Sequence, residues 1–231
     1  RAVPVLVAIW FLIFSIPIFV YIQFSKPRKA TSRRNVKPLI TLILNKRKLT
    51  NLGKFLVARL FYADAIIAIQ ISVGIFTVTV LGLSAKELFQ LVLLTAITQG
   101  IGAVLGGFLN DKIGSKKIIQ LCLYCVFLAI LGLVFFQDKI SFILIFQFGA
   151  FFFGTLQSAS RVMMTNLVNE NNLGQGFGLF TLASRSTAIL GPIMIGSITY
   201  FTNLNFGFLS ITILILAGIL MIKKVNVPKS Y

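Results

Sequence analysis

The chain has 231 residues, 57% of them hydrophobic and 12% charged, with a net charge of +17 and no histidine; its mean hydropathy is +0.94. An average soluble domain carries roughly 25% charged residues, and five acidic side chains cannot furnish the polar shell that a soluble core of this size requires. A soluble enzyme is excluded, and the bilayer takes the place of that shell.

A helix needs about 20 predominantly apolar residues to cross the hydrocarbon core, and seven stretches meet or approach that length: Ala2–Phe24, Phe55–Leu83, Leu88–Asn110, Ile118–Phe136, Ser141–Ser160, Gln175–Tyr200 and Asn205–Ile222. Their continuity and the absence of period-two alternation predict helices rather than barrel strands. The first stretch is too long for the apolar core of a secretory signal and is expected to be a true span, met at once after Arg1 as if the chain were cut just before a helix. The expected organisation is therefore a transmembrane helix over 1–24, a basic cytoplasmic linker over 25–54, and a six-helix unit over 55–231. Within the linker, Pro38–Leu52 mixes apolar residues with Lys46, Arg47 and Lys48, which fits either a helix lying in the membrane interface or a plain linker.

The basic excess follows the spans and does not mark a nucleic-acid partner. Ten of the 22 Lys and Arg fall in Lys26–Lys54. Sorting the links by side gives seventeen on the side of that linker, three on the other and two, Arg59 and Arg185, within spans. The positive-inside rule then places the linker and the C-terminus in the cytoplasm. Cys122 and Cys125 sit inside an apolar stretch with no histidine or other thiol nearby, so they read as inert packing residues, and neither a metal nor a cofactor is expected.

Between the third and fourth stretches the chain reads Gly107-Phe-Leu-Asn-Asp111-Lys112-Ile-Gly114-Ser-Lys116-Lys117. Gly107 is suited to close helix approach, Asp111 to capping or to a basic partner, and Gly114 to a tight reversal, with the lysines holding the loop at the cytoplasmic face. This loop resembles the signature of the major facilitator superfamily, at the place after the second helix of a six-helix unit where that family carries it. Three further stretches resemble the vacuole-effluxer family of facilitators: Phe55-Leu-Val-Ala-Arg59-Leu-Phe-Tyr62-Ala-Asp64, Leu156-Gln157-Ser-Ala-Ser160-Arg161, and Phe177-Gly178-Leu-Phe-Thr-Leu-Ala-Ser184-Arg185, followed by Gly191-Pro192.

The resemblance implies an all-α integral membrane fold whose last six helices are the C-terminal half of a twelve-helix transporter built of three-helix repeats, Phe55–Phe136 and Ser141–Ile222. It implies a secondary transporter exporting amino acids or related metabolites. Ala63 departs from the Asn expected beside the intramembrane Asp, which leaves the substrate open. Alternatives are an exporter of sugars, drugs or other metabolites, and a non-transporting receptor or assembly protein. The expected partners are a small-molecule substrate, membrane lipids and the first half of the same transporter; the compact loops favour a bacterial inner membrane.

A charge at the bilayer centre costs roughly 2.5–3.5 kcal/mol, so those within the spans need a purpose. At helical rise Asp64 lies about 15 Å in from Lys54, and Arg185 reaches a similar depth. The two are expected to face the central cavity at one level, as partners or substrate ligands, with Arg185 suited to a carboxylate and Asp64 to an ammonium group or a coupling proton; the alternative is a structural ion pair. Arg59, nearer the edge, is expected to snorkel to the headgroups. Arg161 is suited either to pair with Asp111 as a latch, as the resemblance suggests, or to act as a plain anchor. Gln70 and Gln99 are candidate cavity residues, while Gln147 and Gln157 read as bonds between helices. Gly102-Ala-Val-Leu-Gly106 permits close backbone approach, and Gly191-Pro192 is a place for the sixth span to break.

Overall fold

The computed structural model describes residues 3–21, 41–45, 48–186 and 188–226. These residues form two units: α1 (Val3–Tyr21), and everything from residue 41 onward. α1 is apolar around its whole circumference, with Trp10 and Phe14 in ring contact and Pro17 inside, the pattern of a helix whose solvent is lipid.

The second unit opens with a helical turn over 41–43 and a two-stranded antiparallel ribbon, β1 (Leu44–Asn45) and β2 (Lys48–Leu49), with Leu44 opposite Leu49. Over the described part of Pro38–Leu52 this ribbon stands in place of a continuous interfacial helix; residues 38–40 and 46–47 lie outside the described residues. The ribbon turns the chain back so that the Thr50 hydroxyl, 2.6 Å from the Leu42 carbonyl, also accepts the Gly53 N–H at 3.0 Å. That cap starts α2 (Asn51–Thr79) four residues before the expected Phe55 and satisfies one of the helix's orphan donors.

There follow α3 (Ala85–Ile113), begun by a Ser84/Glu87 capping box, α4 (Ser115–Phe135), and α5 (Lys139–Leu167), capped by Asp138. The Ser141 backbone N–H holds the Asp138 carboxyl below the usual carboxylate range. After a 3₁₀ turn at Glu170–Asn172 come α6 (Leu173–Arg185), α7 (Leu190–Phe201) and α8 (Leu204–Lys223). With 173–201 taken as one crossing, seven segments among the described residues are long and apolar enough to span a membrane. The fold is that of an all-α, multi-pass membrane protein.

α2 is the buried centre of the six-span unit, packed on α6, α7 and α8, while α5 packs between α3 and α4. Phe76 of α2 stacks on Phe142 of α5 at 4.9 Å and meets Phe208 of α8 edge-on at 5.4 Å. The α3–α5 contact is made at the backbone. Cβ atoms at Gly102 and Gly106 would collide with Phe151 and Thr155, and the Thr155 hydroxyl donates to the Gly102 carbonyl at 2.7 Å. Gly107, the loop-motif glycine expected to allow this approach, has only the Ser158 hydroxyl at 3.9 Å from an added Cβ. Gly102→Leu is accordingly expected to cost about 2–3 kcal/mol by overpacking, and Gly107→Leu little, in denaturant unfolding of the protein in lipid–detergent micelles.

The sixth span departs most from expectation. It is not one helix over Gln175–Tyr200 but two, α6 ending at Arg185 and α7 beginning at Leu190. Pro192 is the third residue of α7, within the first turn, where its missing N–H leaves no bond unmade and its ring meets no preceding turn.

Candidate functional site

Asp64 lies midway along α2 and is 0% exposed. Its Oδ2 accepts the backbone N–H of Gly191 at 2.7 Å, so a carboxylate from α2 caps the first turn of α7 at the break. Negative charge at a helix N-terminus is favoured by the unpaired N–H groups there. Gly191 is needed for the approach: an added Cβ would sit 2.5 Å from the Ala68 Cβ and 3.1 Å from the Asp64 carbonyl oxygen. Asp64 Oδ1 is buried without a hydrogen-bond partner among the described residues.

Arg185 ends α6 and is exposed, lining an open groove with Phe177, Gly178, Thr181 and Leu182. It does not pair with Asp64. Among the described residues the ion pair present is Lys139–Glu87, joining the starts of α5 and α3. Asp64 is enclosed, with its carboxylate directed at the start of α7.

Arg59 overturns its expected anchoring role. It is 4% exposed and its guanidinium is fully inside the bundle. Nε donates to Ser184 of α6 at 2.9 Å and one terminal nitrogen to Gln157 of α5 at 2.9 Å, with a longer contact of 3.4 Å to the Tyr62 hydroxyl. The Phe180 ring lies 4.1 Å beneath the guanidinium carbon, a cation–π contact that desolvation strengthens. Tyr62 in turn shares a 2.8 Å bond with Ser160, whose hydroxyl donates to the Leu156 carbonyl at 2.6 Å. The network thus ties α2, α5 and α6 together. Depth along one helix did not reveal it, but a signal was present: Arg59 and Tyr62, Gln157 and Ser160, and Ser184 come from the three stretches that carry the effluxer resemblance.

Gln70 and Gln99 are brought together. They line a cleft with Ile66, Ile69, Phe146 and Phe153, and both also line the adjoining cleft beside Thr95. Gln147 donates to Thr95 at 3.0 Å, a bond between α5 and α3, and Gln157 accepts from Arg59, so both act between helices as expected.

In the loop motif, Gly114 adopts φ 89°, ψ 144° and joins α3 directly to α4, a conformation that favours glycine. Asp111, Lys112, Lys117 and Arg161 are exposed, and no ion pair joins Asp111 to Arg161. Lys116 donates to the Lys223 carbonyl at 3.0 Å, a cation at the C-terminus of α8, where it is favoured.

A sequence model of the family described as "Vacuole effluxer Atg22 like" matches residues 1–231. The chain belongs to this family. Its relatives include autophagy-related protein 22 of Vanderwaltozyma polyspora, 25% identical over 85% of this chain and 44% of that protein. Autophagy-related protein 22 of Saccharomyces cerevisiae is 22% identical over 79% of the chain and 37% of that protein. An uncharacterized MFS-type transporter of Bacillus subtilis, YxiO, is 22% identical over 93% of the chain and 51% of that protein. The chain of this Atg22-like protein therefore spans about half the length of the relatives it matches, or less.

Proposed function

We propose that the six-span unit is one half of a twelve-helix secondary transporter of the major facilitator type, exporting amino acids or related small metabolites by alternating access with a proton carried on Asp64. The observation that carries this reading is the broken sixth span, whose second part is capped inside the membrane by a buried carboxylate. Hydrocarbon supplies no water for loose backbone donors, so a broken helix persists at that depth only where protein or a water-filled route satisfies it. Secondary transporters place such half-helix ends at substrate and coupling-ion sites.

The chemistry follows from the geometry. A carboxylate on Asp64 holds the Gly191 N–H; a proton on the unpartnered Oδ1 neutralises the charge and weakens that hold. α7 thereby gains two arrangements that proton occupancy biases, the requirement for coupling. Arg185 cannot face lipid at its depth without a penalty of roughly 2.5–3.5 kcal/mol, so its groove faces the substrate route or the other half. Its planar fork suits the carboxylate of an amino acid. Gln70 and Gln99 supply amide groups within the largely apolar cleft. The basic linker, Lys112, Lys116, Lys117 and the C-terminus lie on the cytoplasmic side, and the sequence that supplies the other half lies outside this chain.

Full-length protein in proteoliposomes, given a mixed pool of labelled amino acids with and without an imposed proton gradient, is expected to show gradient-dependent uptake of at least one of them. Folded protein that takes up none would remove the amino-acid assignment.

A further inference from the structure

α6 has two faces. Gly176, Phe180 and Ser184, spaced four apart, face the bundle; Gly178, Thr181, Leu182 and Arg185 are exposed. Arg59 grips the inner face at two successive positions, with Phe180 beneath its plane and Ser184 on Nε, while its other arm is fixed to Gln157 of α5. Phe55, one turn before Arg59, stacks on the same Phe180 at 6.2 Å. A planar fork held at both ends fixes orientation as well as contact, which a flexible ammonium does not. At the far end α6 stops at Arg185, with Ser186 as its C-cap, its N–H bonded to the Leu182 carbonyl.

We propose that Arg59 is a positioning residue: it sets the rotation of the α6 half-helix about its own axis, and through Ser184 it fixes where the neighbouring Arg185 presents its charge to an anionic group of the substrate. The proposal rests on the transport reading above only for what Arg185 binds. That α6 is held in rotation by Arg59 is independent of it. The arrangement explains why a guanidinium is buried in the membrane interior with neutral partners rather than a carboxylate: a cation–π contact and two oxygen acceptors on different helices define a plane, whereas a single counter-ion defines only a distance.

The test uses the full-length protein in lipid nanodiscs with its cysteines replaced and a nitroxide on Thr181→Cys, an exposed site. Arg59→Met and Ser184→Ala are made in this background, with Ser210→Ala, a buried serine of α8, as the control for loss of any buried hydroxyl. The expected spectrum is a single ordered component in the parent and in Ser210→Ala, and an added mobile component in Arg59→Met and Ser184→Ala. A second readout uses whichever amino acid the parent transports. Arg59→Met is expected to raise its KM about tenfold with Vmax within about twofold, Arg185→Gln to do the same, and the double variant to be no worse than either alone, as coupled positions are. An unchanged spectrum in both Arg59→Met and Ser184→Ala overturns the proposal, as does strict additivity of the KM effects. If the parent transports nothing, the transport reading fails, and the spin-label spectra alone decide whether Arg59 holds α6.

Discussion

Arg59→Lys is expected to destabilise the protein by about 2–4 kcal/mol, and Arg59→Met by only about 1 kcal/mol, an order opposite to what charge conservation suggests. Lysine keeps the buried charge but not the fork. Its ammonium cannot reach Ser184 and Gln157 together or lie flat on Phe180, so a strongly hydrated ion is left underpaired in a low-dielectric site. Methionine removes the charge and fills most of the volume. The groups it strands have alternatives: the Ser184 hydroxyl already donates to the Phe180 carbonyl at 2.9 Å, and Gln157 is only half-buried. Unfolding of both variants in mixed micelles against the parent checks the order. Equal losses, or a milder loss for lysine, would mean that the network is held by charge alone.

Gly191→Leu is expected to cost about 3–5 kcal/mol, combining overpacking with the stranding of a buried carboxylate. With Ala68 and the Asp64 backbone against it, the new side chain has no room unless α7 moves off α2. That movement breaks the bond from the Gly191 N–H and leaves both oxygens of Asp64 without a partner. Gly196→Leu, five residues on in the same helix, is the internal comparison. An added Cβ there meets nothing within 4 Å, so little change is expected. Comparable losses at the two glycines would show that helix propensity rather than the α2–α7 contact sets the result.

How much of this was legible in the sequence depends on which force fixes each feature. The spans were legible because a bilayer demands length and apolarity, which composition displays directly. The loop signature and its Gly114 turn were legible because a left-handed backbone favours one residue type. Side-chain partnerships were not. Rise per residue gives the depth of Arg59 and Asp64 but not which way each points, because facing is set by how α5, α6 and α7 pack on α2. Counting residues places Asp64 and Arg185 at one level, but Asp64 meets the start of α7 at Gly191, whereas Arg185 lines the open groove beside Ser184, which meets α2 at Arg59, five residues before Asp64. The break in the sixth span was signalled by Gly191-Pro192 but lies before that pair, because proline is accommodated inside the first turn of α7. Close α3–α5 approach was readable from the glycine spacing at Gly102 and Gly106; that Gly107 takes no part was not.

The most direct test of the account is substrate-driven proton movement. Full-length protein is reconstituted with a pH-sensitive dye trapped in the lumen, and a transported amino acid is added outside without any imposed gradient. The account predicts a change in lumenal pH that follows substrate entry in the native protein. In Asp64→Asn, which keeps an acceptor for the Gly191 N–H but cannot exchange a proton, substrate still equilibrates and the pH signal disappears. Proton movement of native size in folded Asp64→Asn would contradict it.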